Sequence, residues 1–358
     1  MRLAFEEGAK ARLHSSPNPW VGCVLVKDGE IIGKGHTKPP GQEHAEAAAI
    51  AEARGNARGA TAFVTLEPCS HHGRTPPCSE ALIKAGVERV VIAIQDPDHR
   101  VNGQGLDLLK NAGIRVDIGI CQNLAEKEFE PYFHHRKTKI PFCVLKTAMS
   151  MDGKIAASDG SSQWITCKKA RADGHRLRAE SQAIIIGSET AIKDMPKLTV
   201  RDHCPPYTPP LRVLLDSRGR VKVNGPLFDQ SLGPTLVYTT SRADPNTLLH
   251  WKKSGVDIAQ VIPSSTGIGV YLPEVLKDLG KRGVIQALIE GGPTLHGECI
   301  RQGFAHQFQI YMGNCLLGVD GKDAFGGTFA DTIADAPRFR LDSSTAFGDC
   351  VKLVYRTA

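Results

Sequence analysis

His44, Glu46, Cys69 and Cys78 form the one constellation in this chain that reads directly as reaction chemistry. An imidazole and two thiolates fill three of the four positions of a tetrahedral Zn²⁺, which leaves the fourth to a water whose pKa the metal lowers toward neutrality. Glu46, two residues past the imidazole, can take a proton from that water and pass it to a leaving group. Pro68 ends one run, so Cys69 falls where the next element starts and helix amides favour a thiolate. The rival reading is a closed structural zinc site with His71 or His72 as fourth ligand, but such a site gives Glu46 no task and usually has tighter Cys spacing.

Two series of alternating strand and helix patterns must hold these groups. In the first, Val21–Val26 and Glu30–Gly35 flank Lys27-Asp28-Gly29, a hairpin signal. A helix over 43–54, a strand over 60–66, a helix over 79–85, a strand over 89–95, a helix near 105–111 and a strand over 114–119 follow, the pattern of an α/β sheet with some parallel strands. From 121 to 140 the strand pattern stops, and the polar, basic stretch Phe133–Lys139 marks a boundary between domains at 1–138 and 139–358. The second series has strands over 142–148, 183–187, 211–215, 235–238, 285–290, 306–312 and 351–355. Its helices lie over 168–180 and 273–282, and a further one is opened by Gly291-Gly292-Pro293-Thr294. Adjacent glycines let backbone approach a pyrophosphate, and Pro293 starts a helix whose amides attract it.

Length and composition limit what these domains can be. At 358 residues, 41% hydrophobic and 23% charged, the chain can bury two ordinary cores. It shows no apolar run of about 18 residues, and Glu6 and Glu7 interrupt Met1–Lys10, so a soluble cytoplasmic protein with no membrane partner is expected. Ten scattered cysteines in that setting read as buried thiols or ligands, not as a disulfide framework. The net charge of +6 is interleaved with acids and only 6% of residues are aromatic, which counts against nucleic acid and leaves small phosphorylated substrates open. A zinc-stabilised RNA-binding protein is the reading these features oppose.

His-x-Glu and Pro-Cys match the signature of zinc nucleobase deaminases, with eight residues between Cys69 and Cys78 where that signature has two. The longer segment Glu67 to Cys78, with Ser16-Pro17-Asn18-Pro19 and Gln95-Asp96-Pro97, resembles the deaminase half of the bifunctional riboflavin-biosynthesis deaminase/reductases. Lys146 through Lys154, Ser162 through Thr166, His175 through Ala179, Thr190 through Arg201, Leu215-Asp216-Ser217 and Glu290 through Leu295 resemble the reductase half in family order. The resemblance implies a cytidine-deaminase-like α/β/α domain followed by a dihydrofolate-reductase-like α/β domain. It also implies Zn²⁺ on His44, Cys69 and Cys78, with Glu46 as proton shuttle and Asn18 and Arg74 at the deaminase substrate. Ala148, Trp164, Thr190, Asp194, Ser217, Gly292, Pro293, Thr294, Leu295, His296, Gly297 and Glu298 are expected to line NADPH. Ser162, Arg178, Leu198, Arg201 and Glu290 are expected at a phosphoribosyl pyrimidine, with Lys146 a neighbour of its phosphate or ribose. The implied function is deamination of 2,5-diamino-6-ribosylamino-4(3H)-pyrimidinone 5′-phosphate and then NADPH-dependent reduction of its ribosyl group, in a homo-oligomer. Two departures are visible: Met1 falls inside the family's first helix, and Met195 stands where relatives commonly carry Asp or Asn. The same-class alternative is a deaminase of another base whose reductase half no longer turns over.

Overall fold

A computed structural model describes every residue of the chain except 74, 75, 266 and 358. It divides into two compact units, Met1–Lys139 and Ile140–Ala358.

The first unit runs α1 (Arg2–Ala9), β1 (Gly22–Lys27), β2 (Glu30–His36), α2 (Ala45–Glu52), β3 (Thr61–Val64), α3 (Cys78–Ala85), β4 (Arg89–Ile92), α4 (Gln104–Asn111), β5 (Arg115–Ile118), α5 (Gln122–Glu128) and α6 (Glu130–Thr138). Its sheet has the order β2-β1-β3-β4-β5, antiparallel across β2-β1-β3 and parallel from β3 to β5. The β1–β2 turn is made by Asp28 and Gly29 at φ 51° and 83°, the left-handed pair that a two-residue hairpin demands. Ala45, Ala48 and Ala49 of α2 are buried, and β2 offers them bare backbone: a Cβ on Gly35 would sit 2.1 Å from the Ala45 carbonyl oxygen. Small residues on both elements therefore bring the start of α2 close to the sheet. The stretch after Cys121 folds into α5 and α6, and α6 docks back on its own unit through Tyr132 and Arg136.

The second unit runs β6 (Phe142–Met149), β7 (Lys154–Ala156), α7 (Lys168–Glu180), β8 (Ala183–Gly187), α8 (Ser188–Asp194), β9 (Leu211–Leu215), β10 (Thr235–Thr239), α9 (Pro245–Lys253), β11 (Asp257–Gln260), α10 (Leu272–Lys281), β12 (Gln286–Ile289), α11 (Pro293–Arg301), β13 (Gln307–Met312), β14 (Lys322–Asp323), β15 (Phe339–Phe347) and β16 (Cys350–Thr357). The main sheet, β11-β10-β9-β8-β12-β6-β13-β16-β15, is parallel from β11 to β13 and antiparallel across β13-β16-β15. Strands such as β8 and β12 are buried along nearly their whole length, as parallel strands covered on both faces must be. Such sheets place binding loops beyond the carboxyl ends of their strands, and Glu290 to Gly292 occupy that position after β12.

Candidate functional site

In the first unit the donors converge from three places. His44 is the N-cap of α2 in extended backbone, which sets its ring beside the helix start and Glu46 in the first turn. Cys78 opens α3, and Cys69 lies in the segment between β3 and α3. The His44 Nδ1 is 3.3 Å from the Cys78 Sγ and 3.6 Å from the Cys69 Sγ, and the three ligand atoms all lie within 4.8 Å of one another. Tetrahedral bonds to zinc would separate such atoms by about 3.5–3.8 Å, so the donor set fits the ion in type and spacing. Among the described residues no other His, Cys, Asp or Glu joins the cluster; His72 pairs instead with Glu80 at 3.2 Å.

The surroundings favour the charged sulfur. Hydrogen bonds from the Cys78 thiol and from His44 draw the Cys69 thiol well below its ordinary range, and the Cys78 backbone N–H donates to the same sulfur at 3.3 Å. Glu46 is 3% exposed, and burial, with the charge of Cys69 adding, pushes its carboxyl up to about 7. A carboxyl that both holds and releases a proton near neutrality suits a shuttle. The Glu67 carboxylate accepts the backbone N–H groups of Asp96 (3.2 Å), Gly103 (2.9 Å) and Gly105 (3.1 Å), which fastens the Pro68-Cys69 segment to the loop before α4.

Glu46 and the three donors line one cavity with Asn18, Asp98, Arg100, Tyr132 and Arg136. Asp98 is gripped by Arg100 (Nη2–Oδ2 2.7 Å) and Arg136 (Nε–Oδ2 3.3 Å), which hold its carboxyl far below the usual range. Burial pushes the neighbouring Asp96 up to about 6, while it accepts the Tyr132 hydroxyl at 3.1 Å and the Asp98 N–H at 2.8 Å. Sequence reasoning placed Asn18 here and missed Asp98, Arg100, Tyr132 and Arg136. Pro131 at the start of α6 was the available helix signal. Arg74 lies outside the described residues.

In the second unit Arg178 of α7 pairs with Glu290 through two parallel contacts, Nε–Oε1 2.8 Å and Nη2–Oε2 2.6 Å, and also donates to the Thr199 carbonyl at 3.1 Å. Burial opposes ionisation of Glu290, yet the Arg178 charge holds its carboxyl down at about 2. Lys146 belongs to the same group: burial lowers its ammonium, Glu290 opposes that, and its Nζ lies 5.8 Å from the Tyr311 ring centroid. His175 accepts the Arg201 backbone N–H at 3.1 Å, and burial with the charges of Arg178 and Arg201 pulls it down to about 4. The structure therefore brings Lys146, Arg178, Arg201 and Glu290 into one electrostatic neighbourhood.

The other residues expected on this unit are more dispersed. A Cβ on Gly292 would lie 3.5 Å from Thr190 Oγ1, which joins the ends of β8 and β12. His296 is buried with its Nε2 3.3 Å from the Ile289 carbonyl, and a Cβ on Gly297 would strike the Gly326 carbonyl at 1.8 Å. Glu298 is engaged by Arg301 and Gln302. Pro293 accepts the Gly326 N–H, Leu295 packs on the main core beside exposed Thr294, and Ala148 packs on a smaller one. Leu198 is buried at φ 51°. Trp164 is 67% exposed, with the Arg171 guanidinium 4.1 Å from its ring, and Ser162 and Asp194 are exposed. Ser217 gives its carbonyl to the Thr240 hydroxyl.

Residues 141–353 match the family described as RibD C-terminal domain, and residues 1–94 match the cytidine and deoxycytidylate deaminase zinc-binding region. The riboflavin biosynthesis protein RibD of Chlamydia pneumoniae is 42% identical over 99% of this chain and 94% of its own length, and that of Escherichia coli is 38% identical over 99% and 98%. A solved structure of Acinetobacter baumannii RibD superposes with a TM-score of 0.88 at 36% identity, covering 100% of this chain and 97% of that one. A diaminohydroxyphosphoribosylaminopyrimidine deaminase/5-amino-6-(5-phosphoribosylamino)uracil reductase from Thermotoga maritima gives 0.87 at 32% identity, with the same coverage.

Proposed function

Because the chain belongs to the RibD family of riboflavin biosynthesis and carries both of its domains, it is a deaminase and a reductase in one polypeptide, and we propose how its residues divide that work. The first domain, 1–138, hydrolyses the ring amine of 2,5-diamino-6-ribosylamino-4(3H)-pyrimidinone 5′-phosphate to give 5-amino-6-(5-phosphoribosylamino)uracil and ammonia. The second, 139–358, reduces the ribosyl group to the ribityl chain with NADPH. The description of the Thermotoga maritima relative supports this choice of substrates.

The observation that carries the reading is the convergence of His44, Cys69 and Cys78 beside a buried Glu46. These three residues would hold zinc, which when bound would supply the Lewis acidity that lowers the pKa of a water toward neutrality. Glu46 takes the proton of the attacking water on a carboxylate oxygen and returns it to the departing amine. Asn18 orients the pyrimidine, and Arg74 serves the phosphate.

In the second domain, a bound nicotinamide supplies the reducing equivalent. Lys146, Arg178 and Arg201 bring three cations against the single carboxylate of Glu290, a surplus suited to a phosphorylated sugar. Ser162 and Leu198 complete the substrate side. Thr190, Gly292 and the start of α11 offer bare backbone and amides to the cofactor phosphates, with Ala148, Trp164, Asp194, Ser217 and residues 293–298 along its length. The enzyme works in the cytoplasm as a homo-oligomer. The test supplies the purified chain with the diaminopyrimidine phosphate and follows ammonia release and NADPH oxidation separately. Both signals should appear, ammonia first; NADPH oxidation without ammonia release would overturn the assignment.

A further inference from the structure

Cys167 and Cys350 lie together at the start of α7. Cys167 is the N-cap of that helix, half-buried, and Cys350 opens β16 directly opposite Phe347 in the β15–β16 ladder. The Cys167 backbone N–H donates to the Cys350 Sγ at 3.0 Å, and the Cys167 thiol donates to the Phe347 carbonyl at 3.0 Å. With the Cys350 sulfur against the Cys167 backbone and the Cys167 sulfur against the ladder partner of Cys350, the two residues sit on elements already docked and need little backbone movement to join. The helix and the hairpin are clamped independently by Lys352 Nζ on Asp173 Oδ2 at 2.7 Å, so bond formation would reinforce an existing contact.

The environments of the two thiols differ. Burial opposes ionisation of Cys167, but the Ala170 and Lys169 amides of the first helical turn and the Cys350 thiol hold it below its ordinary value. Burial raises Cys350. Cys167, half-buried at the N-cap of α7, is the sulfur a peroxide reaches, and buried Cys350 is the one that resolves. The geometry points to Cys167 and Cys350 as a reversible disulfide site that a peroxide oxidises and a dithiol reduces.

The Cys167 thiolate attacks one oxygen of hydrogen peroxide; the O–O bond breaks, an S–O bond forms, and the leaving hydroxide takes up a proton as water. Cys350 then loses its proton and attacks the sulfenic sulfur; the S–O bond breaks, the S–S bond forms, and the second hydroxide leaves with that proton as water. The two thiols give up two electrons and the peroxide takes two.

The test treats the full chain with limiting hydrogen peroxide, blocks the remaining thiols by alkylation, and maps proteolytic peptides without reduction. The expected product joins the Cys167 and Cys350 peptides, at a mass about 2 Da below their sum, and dithiothreitol separates it. In Cys350→Ala, dimedone should label Cys167. Recovery of both residues as alkylated thiols at doses that oxidise the exposed Cys204 would overturn the site. So would over-oxidation of Cys167 with Cys350 still free, or pairing of either residue with a different cysteine.

Discussion

Arg178 and Glu290, which lie 112 positions apart in the chain, meet in a two-pronged ion pair with side chains only 15% and 9% exposed. The contact ties α7 to the loop after β12, and Lys146 adds a second cation on its flank. A buried pair of this kind contributes less than its Coulomb energy suggests, because both ions have lost their water. Removing one partner is what costs.

Glu290→Gln should therefore destabilise the reductase domain by about 3 kcal/mol, and Arg178→Met combined with it should recover much of that loss. The native Glu290 carboxyl is held at about 2 against an ordinary 4.5. Its stabilisation is thus present above about pH 4.5 and is lost as the pH falls toward 2. Urea titrations of the variants against the parent, repeated down to pH 3, measure both effects. A single variant as stable as the parent at pH 7 would contradict the buried-charge account.

Glu46→Gln keeps the shape of the side chain and removes its proton chemistry. Ammonia release should fall by about 100- to 10,000-fold. Bound zinc, measured by atomic absorption, should stay at the parent level, because His44, Cys69 and Cys78 are untouched. NADPH oxidation on supplied 5-amino-6-(5-phosphoribosylamino)uracil should also persist. Undiminished ammonia release would remove Glu46 from its assigned role.

The metal triad and most of the core elements could be read from sequence because their signals are local. Asp28-Gly29 does form the left-handed turn, and His44 and Glu46 do share the opening of one helix. β15 was missed because its burial pattern has no apolar face to betray it. α9 was missed although Asp244 and Pro245 mark its start, and the Asp244 carboxylate caps the Thr247 N–H. The far wall of the deaminase cavity was illegible for another reason: Tyr132 and Arg136 reach Asp96 and Asp98 from a helix that looks like a polar spacer, and only tertiary folding joins them. Of the residues proposed for the reductase cofactor, Gly291-Gly292-Pro293 could be argued from backbone chemistry, whereas Trp164, Asp194 and Ser217 rested on resemblance alone because they carry no pattern of their own.

Gly35→Ala tests how closely α2 must approach β2. The added Cβ would stand 2.1 Å from the Ala45 carbonyl oxygen and 2.5 Å from the Ala49 backbone nitrogen, so the helix carrying Glu46 must shift. We expect a loss of about 2 kcal/mol and reduced zinc retention during dialysis against a chelator. Gly29→Ala is the control: its φ of 83° imposes strain of about 1 kcal/mol, yet nothing stands within 4 Å of the new methyl and zinc retention should not change. Equal zinc retention in the two variants would mean that helix approach does not govern the site.

Asp96 supplies the opposite pH sign to Glu290. Burial raises its carboxyl from 3.8 to about 6, so the folded state holds the proton more tightly than the unfolded chain does. The contribution is fully present below about pH 3.8 and is lost as the pH rises through about 6, after which an ionised Asp96 costs the fold about 3 kcal/mol. In Asp96→Asn the amide oxygen still accepts the Asp98 N–H, the amide nitrogen in place of Oδ2 can donate to the Tyr132 hydroxyl oxygen, and the side chain carries no charge. Relative to the parent it should gain stability steadily between pH 4 and pH 6 and keep that advantage at pH 7. Because Asp98 titrates in both proteins, the difference between them isolates Asp96. Urea midpoints for the deaminase domain at pH 4, 5, 6 and 7 give that difference directly, and a gap that does not change with pH would show that Asp96 is ionised in the folded state as readily as in the unfolded one.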